Sequence, residues 1–313
     1  MGKLAFVFPG QGAQTIGMGK EFYERYDLGK KLFDEADEAL GYSIRKLCFE
    51  GPADELTLTA NTQPAILTVS VIAASLLKEQ GVIPEVAAGH SLGEYSALVM
   101  ADVLRFQDAV RLVHKRGAFM QEAVPVGEGA MAAVLGLERE KIVAICDEIS
   151  QSSPVQAVNF NCPGQTVIAG AKAGVEKATE ALSAAGAAKC VILPVSAPFH
   201  STLMAPAARK LAAELDKVEI RDAAFPVVSN YTGELESKAA EIKENLVKQA
   251  DHPVKWEDCV AAMVAFGATH FVEAGPGKTL CGFNKRIDRT LKNMNVENPV
   301  SLEKTLDTLK EVR

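Results

Sequence analysis

Three features of the sequence predict an α/β fold. Short apolar runs alternate with helix-forming stretches, a serine stands between two glycines where one such run meets a helix, and the middle of the chain follows the order βαββαβ. In the flanking parts, Leu4 to Phe8 reads as a strand and Glu21 to Leu40 carries helix signals. Pro64 to Leu77 (PAILTVSVIAASLL) reads as a buried helix ending near Gly81, and Val86 to Ala88 as the next strand. That is the rhythm of a parallel sheet covered by helices. After Ser91 the stretch LGEYSALVMADVL has few breakers and good helix formers, so Ser91 falls at a strand-to-helix junction, where α/β proteins gather their chemistry. A strand-like Pro226 to Ser229, a helix through Trp256 to Phe266 and a strand His270 to Glu273 ending in Ala274-Gly275-Pro276-Gly277 resume the pattern.

The middle segment gives a strand (Met131 to Leu137), a helix (Glu138 to Ser150), two strands (Val155 to Asn159, Thr166 to Ala169), a helix (Ala171 to Ala185) and a strand (Cys190 to Val195). This is the ferredoxin-like arrangement, which closes a small core of its own. Gly127-Glu128-Gly129 and Pro194 to Pro198 serve as its two hinges. The expected organisation is a small subdomain, residues 127–196, inserted into a large domain made of residues 1–126 and 197–313.

A chain of 313 residues, 48% apolar and 23% charged, can bury a sizeable core. Its formal charge of -7, with basic residues scattered, argues against nucleic acid as the main partner. The six cysteines are too widely spaced for a CxxC redox pair or a zinc finger, which fits a reducing cytosol. The apolar run Leu4 to Phe8 is too short for a signal peptide, and Pro64 to Leu77 is too short to cross a bilayer. A cytoplasmic monomer without a membrane segment is expected.

Gly89-His90-Ser91-Leu92-Gly93 matches the GxSxG nucleophile elbow, in which small neighbours let strand and helix approach while the serine sits on a sharp turn. The competing reading is a serine that only caps the helix. A serine nucleophile needs a base within hydrogen-bond reach. Of five histidines, His90 is turned elsewhere by its backbone position, His114 lies in a charged helical stretch, and His252 and His270 flank a loop and a strand. His200 lies in an irregular segment after the second hinge, a common setting for catalytic groups and also for structural histidines.

Phe8-Pro9-Gly10-Gln11-Gly12 fails the dinucleotide fingerprint because position 15 is Thr, and Gly275-Pro276-Gly277-Lys278-Thr279 fails as a phosphate loop because position 272 is Val. The first turn can instead present a backbone amide, such as that of Gln11, to an oxyanion. Arg116, on a helix with Val110, Leu112 and Val113, is either a solvated charge or, turned inward beside Ser91, a fork for a substrate carboxylate. Lys285, Arg289 and Lys292 at i, i+4 and i+7, with Arg286 alongside, would form a basic stripe on a helix. A solvated face and a docking site for an acidic protein are both open.

FPGQG, NTQPA (Asn61 to Ala65), GHSLGEY, the KRG segment, APFH (Ala197 to His200), Gln249 with PVKW after it, and EAGPG occur in order from Phe8 to about Gly277. Together they resemble the malonyl-CoA:acyl carrier protein transacylases of fatty-acid synthesis. The resemblance implies a hydrolase-like α/β domain interrupted by the ferredoxin-like subdomain, with the active site between them. It implies Ser91 as the nucleophile that carries malonyl, His200 as general base and then acid, and the amides of Gln11 and Leu92 as the oxyanion hole. Arg116 would pair with the malonyl carboxylate, Gln63 and Phe199 would join it in binding substrate, and the main-chain carbonyl of Gln249 would hold His200. Phe199 stands where malonyl-selective members carry phenylalanine, and its bulk would crowd an α-methyl branch. Malonyl-CoA and acyl carrier protein would be the partners, Lys285, Arg286 and Arg289 the carrier's docking patch, and no metal or redox cofactor would be needed. A serine esterase or thioesterase, and a carrier-binding protein without turnover, are the alternatives.

Overall fold

The computed structural model describes residues 2–195 and 197–312. Ser196, inside the second expected hinge, lies outside the described residues. Ten strands fall into two sheets: β1 (Lys3–Phe8), β2 (Val86–Gly89), β3 (Gly129–Leu135), β4 (Val155–Cys162), β5 (Gln165–Ala171), β6 (Lys189–Ile192), β7 (Val227–Val228), β8 (Leu235–Glu236), β9 (Ala268–Ala274) and β10 (Lys292–Val296). The six-stranded sheet has the order β10-β9-β1-β2-β7-β8, parallel except for the antiparallel β8 at one edge. The four-stranded sheet has the order β4-β5-β3-β6 and is antiparallel throughout. Its strands, taken in chain order, lie 2-3-1-4, the ferredoxin-like order that the βαββαβ pattern predicts.

Helices cover both faces of the large sheet, which is why β1 reads as a continuous apolar run rather than an alternating one. On one face Phe6 and Phe8 pack with Phe22, Phe33 and the Thr59–Glu79 helix; on the other Val7 meets Trp256, Met263 and Phe271. The Thr59–Glu79 helix is longer than the apolar run that announced it. By length and composition alone it is long enough to cross a membrane, contrary to the sequence expectation, yet 83% of its most apolar stretch is buried inside the protein. A helix apolar on all sides is a core helix when other elements surround it.

The small sheet carries its helices, Arg139–Ser150 and Lys172–Ala184, on one face. Its other face contributes Met131, Val158 and Val167 to a cluster with Met120, Val124, Phe199 and Met204 from the rest of the chain. Backbone bonds from Phe160 N to Val254 O (2.9 Å) and Val254 N to Val158 O (2.8 Å) also tie β4 to the larger part. A two-pronged Arg139–Asp258 ion pair adds to that seam.

One expectation fails near the C-terminus. The helix carrying Lys285 and Arg286 is Thr279–Ile287 and stops before Arg289, and Lys292 opens β10. Asp288 accounts for the stop: its Oδ1 accepts from Thr290 N (2.8 Å) and Thr290 Oγ1 (2.7 Å), a local turn that competes with the next helical bonds. The three-residue stripe on one helix therefore does not exist.

Glu236, on β8, is 4% exposed; its Oε2 accepts from Asn245 Nδ2 (2.6 Å) while Oε1 has no partner. Burial, and then the nearby Glu94 carboxyl, hold its carboxyl above the ordinary range. The folded state thus keeps a proton that the unfolded chain releases, so stability from this group is present in acid and lost as pH rises through the raised value. Glu236→Gln should gain little Tm at pH 5 and progressively more toward pH 8.5; a gain independent of pH would show that the carboxyl is solvated.

Candidate active site

Ser91 sits two residues beyond β2, at the N-terminal end of the Gly93–Met100 helix, with a left-handed φ of 53°. Such a backbone is costly for a residue with a side chain and persists only where its surroundings fix it. Here the flanking glycines do so. A Cβ on Gly89 would run into the Gly93 backbone, and one on Gly93 would strike the carbonyl of Phe8 at the end of β1. Asn230, following β7, clamps the turn: its Oδ1 accepts from Ser91 N (2.6 Å) and its Nδ2 donates to Gly89 O (2.7 Å).

The turn brings Ser91 Oγ to 2.7 Å from His200 Nε2, and His200 Nδ1 lies 2.8 Å from the carbonyl of Gln249. A carbonyl only accepts, so Nδ1 carries the proton and Nε2 is free to take one from the serine. His200 also has a left-handed φ, 62°, and is 3% exposed. Burial first, and the Arg116 charge second, lower its pKa to about 3. The imidazole is therefore neutral at physiological pH, as a general base must be.

Arg116, on the Phe106–Glu122 helix, is turned inward and 1% exposed. Its Nη1 donates to Gln63 Oε1 (2.7 Å), and its Nη2 donates to Gln249 Oε1 (2.9 Å) and to Ser91 Oγ (3.0 Å). Every one of these acceptors is a neutral oxygen. Gln249 thus acts twice, through its carbonyl on His200 and through its side chain on Arg116 and on Ser91 O, to which Nε2 donates at 2.8 Å.

A cavity of about 100 Å³ opens over Ser91, lined by Gln11, Gln63, Arg116, Met131, Phe199 and His200 among others. It suits a short acyl group. A second cavity of about 270 Å³ shares Gln11, His90, Asn159 and Leu193 with it and continues to Leu280 and Phe283. Gln11 follows β1 on the tight turn, where a Cβ on Gly10 would meet the His90 carbonyl. Among the described residues, the amides of Gln11 and Leu92 find no acceptor within the chain. Gln11 lines the cavity around Ser91, and Leu92, next to Ser91 in the chain, is the helix N-cap where the dipole favours negative charge.

Ser91, His200, Arg116, Gln63, Phe199, Gln11, Leu92 and Gln249 are thus gathered at one place. Lys285, Arg286 and Arg289 are not; with Pro163 and Gly282 they surround a separate, open surface cavity, and Arg286 Nη2 donates to Pro163 O (3.0 Å). His90, set aside as turned elsewhere, makes its bond to Asn161 Oδ1 (2.9 Å) and still lines both cavities. Asn230, Asn159, Asn161 and the fully buried Glu94 were missed by the sequence reading. Only Glu94 gave a signal, as the acid inside GHSLGEY.

Residues 5–309 match the family described as acyl transferase domain. The chain is 51% identical to the malonyl CoA-acyl carrier protein transacylase of Bacillus subtilis, over 99% of this chain and 98% of that protein. Among solved structures, an acyl carrier protein S-malonyltransferase from Vibrio cholerae superposes with a TM-score of 0.95 at 45% identity, covering 97% of this chain and 99% of that one. A malonyl-transacylase solved in complex with its type II polyketide-synthase acyl-carrier protein gives a TM-score of 0.95 at 45% identity, covering 98% and 99%. The chain belongs to the acyl transferase family, where its sequence motifs had set it beside the malonyl-CoA:acyl carrier protein transacylases.

Proposed function

We propose that this protein transfers malonyl from malonyl-CoA to the phosphopantetheine thiol of an acyl carrier protein through a malonyl-serine intermediate. The observation that carries the reading is that Ser91 Oγ stands between a neutral imidazole and a buried guanidinium that has only uncharged acceptors. In the first half-reaction His200 Nε2 takes the Ser91 proton as Oγ attacks the thioester carbonyl. The amides of Gln11 and Leu92 hold the oxyanion, and His200 returns the proton to the departing coenzyme A thiol. In the second half, His200 takes the proton of the carrier's thiol, whose sulfur attacks the ester, and Ser91 regains its proton. Neither step calls for a metal or a redox cofactor, since only a proton and an acyl group move.

Arg116 supplies selectivity. A carboxylate on the acyl group gives the buried cation a charged partner, and an acyl group without one forfeits about 2–5 kcal/mol of that pairing. Phe199, 8% exposed in the same cavity, fills the space a branch next to the thioester would need. The reading takes residues 127–196 as the inserted unit, supported by the separate antiparallel sheet. It places the protein in the cytoplasm, where its six cysteines, all free among the described residues, keep their thiols.

Brief exposure to malonyl-CoA followed by intact-mass measurement should reveal a persistent malonyl adduct that Ser91→Ala abolishes. Rapid loss of the adduct would make the protein an esterase or thioesterase, and no adduct at all a carrier-binding protein without turnover.

Because burial and Arg116 depress the His200 pKa, the base form survives acidification that would protonate an ordinary imidazole. The acid limb of kcat/KM for malonyl loading should therefore fall below pH 6.5, and Arg116→Ala should move it upward. A wild-type limb at 6.5 or above would mean that water solvates the ring.

The exposed Lys285 and Arg286, in the last turn of the helix whose first turns reach the outer cavity, and Arg289 just past it suit the acidic surface of a carrier. Charge reversal at Lys285 and Arg289 together should raise the KM for carrier several-fold and flatten its salt dependence; an unchanged KM would move docking elsewhere.

A further inference from the structure

Glu94 is the second residue of the Gly93–Met100 helix and is fully buried, yet nothing in the two half-reactions uses it. Its Oε2 accepts from Asn230 N (2.9 Å) and from Gln249 Nε2 (3.0 Å), while Oε1 has no partner. We propose that Glu94 is a positioning residue that aims Arg116 at the acyl group, acting through the side-chain amide of Gln249. The inference rests on the reading that Arg116 receives the acyl carboxylate.

The argument is one of donors and acceptors. A carboxylate only accepts, so it compels Gln249 to face it with Nε2, and the same nitrogen donates to Ser91 O. The amide oxygen is thereby left pointing the other way, at Arg116 Nη2. Were Glu94 absent, the Ser91 carbonyl alone would hold Nε2, and the amide would turn over more readily to set its NH2 against the guanidinium, donor against donor. Gln63 would then hold Nη1 alone.

The charge matters as well as the orientation. Arg116 has no carboxylate at ion-pair distance among the described residues, and the acid whose charge acts on it is Glu94, one amide away. A direct ion pair would satisfy the guanidinium and leave an incoming carboxylate to compete for it. Removing the acid altogether would leave a buried cation with no compensating charge, at a cost typical of broken buried pairs. With a neutral amide between them, the acid steadies the fork without occupying it. Burial, the largest influence, raises the Glu94 carboxyl, and its two N–H donors and Arg116 oppose that.

The test compares the rates at which malonyl-CoA and acetyl-CoA load Ser91, read by intact mass, in wild type, Glu94→Ala, Glu94→Gln and Arg116→Ala. Glu94→Ala should lower the malonyl-to-acetyl ratio at least tenfold. Glu94→Gln, which keeps the shape and one acceptor oxygen but not the charge, should fold like wild type and lower it at least threefold. In an Arg116→Ala background neither change should alter the ratio further. Equal losses for both acyl groups, or an unchanged ratio in Glu94→Gln, would reduce Glu94 to a structural residue. If Arg116→Ala itself leaves the ratio unchanged, it is the carboxylate reading of Arg116 that fails.

Discussion

Everything at this site depends on the passage of one backbone past another at Gly89 and Gly93. Only hydrogen at both positions allows the end of β2, the start of the following helix and the Phe8 carbonyl to lie in mutual contact. That contact is what holds Ser91 at a positive φ, with Oγ projecting into the cleft rather than back along the helix. On the proposed reading, fixing the hydroxyl in this way leaves little to be ordered when substrate arrives. The surrounding bonds repeat the constraint: the Asn230 side chain accepts the Ser91 amide hydrogen, Gln249 Nε2 donates to the Ser91 carbonyl, and the Asn230 main-chain N–H and Gln249 Nε2 both donate to the same Glu94 oxygen.

The charges obey a related economy. His200, Arg116 and Glu94 are all buried, and a charge taken out of water is costly unless other groups compensate it. The imidazole escapes the cost by staying neutral. Arg116 has no such escape, and the structure surrounds it with amide oxygens from Gln63 and Gln249 and the serine hydroxyl. Neutral acceptors soften desolvation without cancelling the charge. That is the arrangement expected where the missing counter-ion is to come from outside.

Local patterns made much of this legible. The βαββαβ order needed only alternating apolar runs, and the elbow needed only five residues in a strand-to-helix context. The grouping of His200 and Gln249 with Ser91 came from the family's motifs, since 109 and 158 positions separate them along the chain and no spacing rule spans such distances. Asn230 stayed invisible for the same reason, 139 positions from the amide it clamps. Glu94 was hidden differently: an acid in the first turn of a helix is ordinary, and only tertiary structure shows that this one is fully buried. The basic stripe failed because the i, i+4, i+7 pattern ignored Asp288, whose side-chain bonds end the helix.

The placement of the small sheet bears on why the cleft suits two thiols in turn. Asn159 and Asn161 reach it from β4, Gln11 from the turn after β1, and Leu280 and Phe283 from the Thr279–Ile287 helix, so the outer cavity has walls from both sheets. The inner cavity, by contrast, is bounded by the groups that would hold or exclude the acyl portion on the proposed reading. Coenzyme A and a carrier protein's prosthetic arm end in the same pantetheine thiol. On the proposed reading a single outer cavity can therefore receive the leaving arm and then the entering one, while the acyl group never leaves the inner cavity. On that reading, sequential occupancy of one channel requires a covalent intermediate, a role the geometry around Ser91 would suit.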